Sequence, residues 1–165
     1  MISNIILLTG PIISGKTTKL GEVLALRTDV RGFLTPDLDR GREVHILPQG
    51  SKEPVAMQAV EPGNDTLSVG RYHFYTAAFD SMKRELLSMA KEPALWNVID
   101  ELGKLELRDK GLCPEIEEVI DKWKKPGKAG HLLIVVRDEL LESAVAKFGL
   151  DQATVIQKDD VELLF

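Results

Sequence analysis

The feature that most constrains the fold is an apolar run near the start of the chain that leads directly into a glycine-bounded loop. Residues 4–9, NIILLT, hold four consecutive aliphatic side chains without polar alternation. Such a run predicts a strand that is buried on both faces, as in a parallel sheet covered by helices. Residues from Lys16 to Arg27 then have apolar side chains at helical spacing. A strand, a tight loop and a helix in this order are typical of an α/β fold.

Strands and helices alternate along most of the remaining chain. Apolar runs in ALWNVID, HLLIVV and ATVIQ predict further strands, and helices are predicted at about 77–91, in PEIEEVIDKWKK and in DELLESAVAKFG. Residues 30–75 differ, because turn residues separate short strand-like pieces there, which predicts an elaboration of antiparallel hairpins. We therefore predict one domain over residues 1–165, with a mostly parallel sheet flanked by helices.

Composition and charge restrict the partners of the chain. A net charge of −5 disfavours the broad basic surface that nucleic acid or an acidic membrane would require. The lysines between residues 122 and 128 fit the solvated end of a helix. The first apolar run is too short for a signal or membrane segment, and the lone Cys113, interpreted as a semi-buried thiol, cannot form a disulfide within the chain. A cytoplasmic location is predicted, and nothing indicates a particular protein partner.

The loop after the first strand, GPIISGKT, matches the pattern G-x-x-x-x-G-K-[ST]. Its glycines let the backbone fold tightly so that N–H groups converge on phosphate oxygens, and the following helix adds the positive end of its dipole. The lysine reaches the β- and γ-phosphates, and the threonine hydroxyl binds Mg²⁺. The strand before and the helix after favour a nucleotide-binding loop over a structural turn. The predicted nucleotide-binding residues are Gly10, Pro11, Ile12, Ile13, Ser14, Gly15, Lys16, Thr17 and Thr18.

A second group of candidates ends the predicted strand WNVID, where two carboxylates, Asp100 and Glu101, are adjacent. In a parallel sheet Asp100 would lie at the same edge as the loop and face Thr17, where it would hold Mg²⁺ as a Walker B aspartate does. Glu101 could orient and activate water against the γ-phosphate, which gives hydrolysis. It could also be a surface acid that opens a loop, but its position behind a buried strand favours the catalytic role.

Four segments, in order along the chain, resemble the small P-loop nucleoside-triphosphatases. They are LLTGPIISGKTT, RGFLTPDL, SVGRYHFY and VIDELGKLEL. This family includes thermostable archaeal and bacterial enzymes and the cancer-related nucleoside-triphosphatase. The first segment is generic, whereas the last is close to the family signature DEIGKMEL and carries most of the specificity. The resemblance extends from the first strand to about residue 157.

The resemblance implies a single-domain, Mg²⁺-dependent enzyme that hydrolyses nucleoside triphosphates, with broad base tolerance, to the diphosphate and phosphate. By motif match, residues 15–18 would bind the nucleotide, with Lys16 also catalytic, Asp100 would position the metal and Glu101 would activate water. Lys104 matches a family lysine, which would either neutralise charge in the transition state or pair with Glu106.

The sequence departs from the family at two places that bear on the site. Ile13 stands where the family loop usually has glycine, so an altered loop geometry is expected. The loop after HLLIVV is shorter than in the family, and Arg137 follows the strand directly. Arg137 is predicted either to touch phosphate or base, or to be a surface residue paired with Asp138 or Glu139. Arg71, in SVGRY, is a further candidate for a contact with the nucleotide.

Two other functions are compatible with the same motifs. A nucleotide or small-molecule kinase would need an acceptor pocket, which the hairpins of residues 30–75 could form, and usually an arginine-bearing lid, which does not stand out in the sequence. A slow nucleotide-binding regulatory module would need no efficient chemistry. The complete set of Lys16, Thr17, Asp100 and Glu101 argues against that module.

Overall fold

The computed structural model describes residues 3–165, and their helices and strands alternate at both ends of the chain. The strands are β1 (Ile5–Gly10), β2 (Val30–Leu34), β3 (Asp37–Leu38), β4 (Gly41–Leu47), β5 (Val55–Ala56), β6 (Gln58–Ala59), β7 (Thr66–Val69), β8 (Tyr72–Tyr75), β9 (Trp96–Asp100), β10 (His131–Arg137) and β11 (Thr154–Ile156). The α-helices are α1 (Lys16–Leu24), α2 (Thr76–Lys91), α3 (Glu115–Lys124) and α4 (Asp138–Phe148). Two 3₁₀ helices span Glu106–Arg108 and Lys158–Leu163.

The central sheet has the order β11-β1-β10-β9-β2-β4-β3, with β5 paired to β4. The five strands from β11 to β2 run parallel, and β3, β4 and β5 are antiparallel to their neighbours. The mostly parallel α/β fold expected from the sequence is thereby confirmed. Strand β10 lies between β1 and β9, so the loop after β1 and the end of β9 open at one edge of the sheet. Ligands of such sheets bind at this edge.

The prediction of antiparallel hairpins in residues 30–75 is confirmed, and the first strand of this segment also joins the parallel part of the central sheet. The expected hairpins are present as β3–β4 and as a separate three-stranded sheet of order β6-β8-β7. Strand β2, however, belongs to the central sheet and pairs in parallel with β9. Gly32 breaks the apolar run that would have marked it as a central strand. A Cβ atom at Gly32 would lie 1.9 Å from the carbonyl oxygen of Val98, so this close approach requires glycine.

The helices agree with the sequence-based predictions except for the end of α1, which stops at Leu24 instead of Arg27. Beyond that point the Arg27 guanidinium turns back to the Asp29 carboxylate and lies over the Phe165 ring, 5.2 Å from its centroid. Helix α4 ends as expected at Gly149, whose φ of 63° is the left-handed conformation that glycine adopts most easily.

Apolar side chains fill both faces of the sheet, because successive residues of its strands point to opposite sides. On one side Ile99 packs in a cluster with residues of α2, α3 and α4. On the other side Val98 packs with Leu20 of α1 and Val161 of the second 3₁₀ helix. The fold is therefore a three-layer α/β/α arrangement with the open edge left for function. Within residues 3–165 no helix combines the length and the apolar character needed to cross a bilayer.

Candidate active site

The loop between β1 and α1 curls around the side chain of its own lysine. Gly15 has a φ of 84°, a left-handed conformation that allows the chain to turn into α1. The Lys16 ammonium donates hydrogen bonds to the carbonyl oxygens of Gly10 (3.1 Å) and Pro11 (2.7 Å) and to the Ser14 hydroxyl (3.1 Å). Burial lowers the pKa of Lys16, and the negative charges of Glu101 and Asp100 oppose that shift. The charged amine is thus held at the loop.

Asp100 lies against the threonine of the loop, at the end of β9. Its Oδ2 atom accepts hydrogen bonds from the Thr17 hydroxyl (2.8 Å) and from the backbone N–H of Thr35 (3.0 Å). Because the carboxyl is fully buried, desolvation raises its pKa to about 6, although the Thr35 N–H opposes the shift. This is the juxtaposition of Thr17 and Asp100 expected from the sequence. Thr35 was missed as a site residue, although the segment RGFLTPDL includes it, because its contact with Oδ2 of Asp100 uses the backbone N–H and not the side chain.

Glu101 and Arg137 form an ion pair next to Asp100. The Nε atom of Arg137 lies 3.3 Å from Oε1 of Glu101, and both side chains are about a quarter exposed. Arg137 is the last residue of β10 and is in register with Gly10 of β1. The prediction that Arg137 could pair with Asp138 or Glu139 is wrong, because its partner is Glu101. The pair places a carboxylate and a guanidinium together at the sheet edge.

Two connected depressions lie at this edge, and we call them the P-loop cleft and the outer cavity. The P-loop cleft has a volume of about 320 Å³ and is lined by residues 12–18 of the loop and by residues 35–38. The outer cavity has a volume of about 440 Å³ and extends to the β7–β8 hairpin and to the segment after β9. The residues that line both are Thr35, Arg42, Glu101 and Arg137. The Glu101–Arg137 pair therefore stands where the two join.

Lys104 and Arg71, the remaining candidates from the sequence, line the outer cavity and not the P-loop cleft. Lys104 is exposed and does not pair with Glu106. The buried Glu106 carboxylate instead accepts the backbone N–H groups of Gly103 (2.9 Å) and Leu112 (3.0 Å). Arg42 was missed by the sequence analysis, because it comes from β4, which carries no recognisable motif.

The oxygen atoms at Thr17 and Asp100 suit a hard cation of the Mg²⁺ type. A hydroxyl and a carboxylate oxygen lie 2.8 Å apart there, next to the loop that would hold phosphates. Mg²⁺ is typically bound through one or two protein oxygens and completes its shell with water and substrate phosphates. Among the described residues no three His, Cys, Asp or Glu side chains cluster as a metal cage.

The order of these parts along the chain and in the sheet is that of the P-loop nucleotide-binding proteins. A sequence model of the family described as NTPase matches residues 5–157. The chain therefore belongs to this family of nucleoside-triphosphatases, and the resemblance seen in its segments is confirmed.

Two relatives agree with this assignment. The curated nucleoside-triphosphatase THEP1 of Methanocaldococcus jannaschii is 29% identical over 164 residues, which cover 86% of this chain and 95% of the relative. The crystal structure of THEP1 from the hyperthermophile Aquifex aeolicus is similar with a TM-score of 0.65 at 17% identity. That likeness covers 97% of this chain and 94% of the other, so the fold is shared over nearly the whole length.

Proposed function

We propose that the enzyme hydrolyses nucleoside triphosphates of several bases to the diphosphate and phosphate in a Mg²⁺-dependent reaction. The observation that carries this proposal is the hydrogen bond of 2.8 Å between Thr17 and Asp100 at the loop, with Glu101 directly beside it. We also propose that residues 1–165 act as one cytoplasmic domain whose ligand is a nucleotide and not nucleic acid.

Lys16 and the backbone of the loop bind the triphosphate. The lysine ammonium now donates to two loop carbonyls and a hydroxyl, and phosphate oxygens are stronger acceptors because they are charged. Exchange of partners would bring the ammonium to the β- and γ-phosphates without moving α1. The buried position of Lys16 strengthens its attraction for the charge that builds up during transfer of the γ-phosphoryl group.

Glu101 orients the attacking water and accepts its proton. Its carboxylate lies at the junction of the P-loop cleft and the outer cavity, so water can reach it. Arg137 holds that carboxylate at 3.3 Å through its Nε atom, which fixes the direction of the base. The remaining N–H groups of the guanidinium can donate to phosphate oxygens and offset negative charge in the transition state.

Thr17 and Asp100 would hold Mg²⁺ when the nucleotide is bound. The ion would supply neutralisation of the β- and γ-phosphate charges. Burial raises the pKa of Asp100 to about 6 in the protein alone, and a cation beside a carboxyl favours its charged form. The Thr35 N–H and the Thr17 hydroxyl keep this carboxylate aimed at the loop.

Phosphate release tests the proposal directly. ATP, GTP, CTP and UTP are each supplied with Mg²⁺ and no acceptor, and in parallel with EDTA. We expect steady release from several of the four nucleotides and loss of release with EDTA. Binding of nucleotide without release would overturn hydrolysis and favour a kinase or a slow regulatory module. Release that is unaffected by EDTA would overturn the metal dependence.

A further inference from the structure

The outer cavity has the size and the lining of a ligand site, and hydrolysis does not use most of it. Its volume of about 440 Å³ lies in the range of small-molecule sites. Its apolar wall includes Met57, Phe74, Phe79 and Leu105. Two of these rings, Phe74 and Phe79, meet edge to face with centroids 6.3 Å apart, which gives the wall a fixed aromatic surface.

Basic side chains in the same lining carry positive charge that the protein does not neutralise. Arg71, Lys104 and Arg108 are exposed residues of this wall. Between residues 3 and 165, no carboxylate lies within 4.0 Å of their charged nitrogens. Arg71 instead donates to the Tyr72 hydroxyl at 3.0 Å and lies over that ring, so its guanidinium is presented on an aromatic support.

The carboxylates in this lining are already engaged. Glu101 pairs with Arg137, and Glu106 accepts two backbone N–H groups. Asp100 is bonded to Thr17 and Thr35. An anion that enters the cavity therefore meets free cations and no free carboxylate, which is the charge pattern of a site for an acidic ligand.

The outer cavity lies on the far side of the P-loop cleft from the second 3₁₀ helix. A Cβ atom on Gly15 would lie 3.7 Å from the Lys158 side chain, so that helix flanks the loop on the β11 side. The outer cavity begins at Glu101, on the β9 side. The proposed function places Glu101 next to the γ-phosphate. The outer cavity therefore lies beyond the γ-phosphate, at the opposite end of the triphosphate from the sugar and the base.

We propose that the outer cavity is a second ligand site, which takes a small molecule with a phosphate group and a planar apolar body, of the nucleoside monophosphate class. The phosphate lies among Arg71, Lys104 and Arg108, and the planar body lies against the aromatic wall. The placement of the γ-phosphate beside Glu101 rests on the proposed function. The binding itself requires no turnover.

Calorimetry with a blocked P-loop cleft tests the site. The wild-type protein is saturated with ADP and Mg²⁺ and then titrated separately with AMP, GMP, CMP and UMP, and with the corresponding nucleosides. We expect one-site binding of at least one monophosphate, with its nucleoside bound at least about tenfold more weakly because it lacks the charge-assisted contacts. No binding by any monophosphate overturns the proposal.

Variants place the binding in the outer cavity. The double substitution Lys104→Ala and Arg108→Ala removes two of the free cations, and we expect it to weaken the monophosphate by about 10- to 100-fold. The matched control is Lys110→Ala, which removes a neighbouring exposed lysine outside the lining and should leave binding unchanged. A double variant that binds as the wild type does would overturn the placement. Failure of ATP hydrolysis would overturn the proposed function and leave this binding result intact.

Discussion

The P-loop cleft and the outer cavity share an edge of the sheet but are built in different ways. One wall of the cleft is the contiguous loop between β1 and α1, and the polar groups of this loop converge on one ammonium, that of Lys16. The outer cavity draws its lining from separate segments that include Met57, Phe74 and Lys104. The chemistry of the cleft therefore depends on single side chains, whereas the outer cavity depends on how the hairpins pack. The substitutions below probe that difference.

The largest effect is expected from Lys16→Ala. Within residues 3–165 no other ammonium lines the P-loop cleft, so turnover should fall to the background of the assay and nucleotide binding should weaken. Phosphate release and calorimetry measure the two effects, and circular dichroism checks the fold. Lys19→Ala, on the same helix but paired with Glu162 away from the cleft, is the matched control. Hydrolysis by Lys16→Ala at the wild-type rate would contradict the assignment of the loop.

Glu101→Gln should leave nucleotide binding near the wild-type value and lower turnover by about 10² to 10⁴, the usual worth of a positioned general base. The amide keeps the size of the side chain and can still accept from Arg137, but it cannot take a proton from water. Single-turnover phosphate release and calorimetry separate the two outcomes. Glu139→Gln, at an exposed acid in the first turn of α4, serves as the control. Equal loss of binding and rate would instead make Glu101 a ligand-holding residue.

On the side of the outer cavity, Phe74→Ala should act on stability. The ring is partly buried and packs against Phe79, so we expect the free energy of unfolding to fall by about 2 kcal/mol, below the loss for a fully buried phenylalanine. Urea denaturation measures the change. The exposed Tyr72, whose ring stacks on Phe74 from outside, provides a control in Tyr72→Ala with a smaller loss. Equal losses at both positions would contradict a hairpin fixed by Phe74.

Arg137→Ala should lower turnover by about tenfold, because Glu101 loses the partner 3.3 Å away that directs it. Arg137→Lys keeps the charge but not the fork of donors and should recover part of the rate. Single-turnover release on both variants measures this. A rate for Arg137→Ala equal to the wild type would show that Glu101 does not need Arg137 to act and would remove Arg137 from the mechanism.

The smallest effect is expected within the loop itself, from Ile13→Gly. Ile13 is 98% exposed and has a φ of 56°, a conformation that is unfavourable for a β-branched side chain. Glycine relieves roughly 1 kcal/mol of strain, so the melting temperature should rise slightly. Ile12→Gly is the matched control, because Ile12 has no positive φ and glycine there should destabilise the protein. A fall in stability for both variants would contradict the strain argument.

The parts of the site that could be predicted from the sequence are those set by local patterns. The loop motif and its flanking strand and helix predict the positions of Lys16 and Thr17, and the apolar run before Asp100 predicts a buried strand. Parallel pairing of the two strands was then enough to predict that Thr17 and Asp100 lie close together. Arg42 gave no such signal, and the segment RGFLTPDL gave no indication that Thr35 contacts Asp100, since β2 and β4 bring these residues to the edge only through tertiary contacts. The place of β2 in the central sheet could not be predicted, because Gly32 interrupts its apolar run. This glycine is required by the close approach of the Val98 backbone.

The pairing of β1 has a consequence for synthesis of the protein on the ribosome. Both neighbours of this first strand, β10 and β11, come from the last part of the described chain. The apolar residues Ile5–Leu8 therefore have no sheet partners while most of the chain is synthesised. An unpaired apolar strand of this kind is prone to aggregation. The loop that follows β1 gains its rigid support last, so a nascent chain that has not yet made β10 has no assembled nucleotide site.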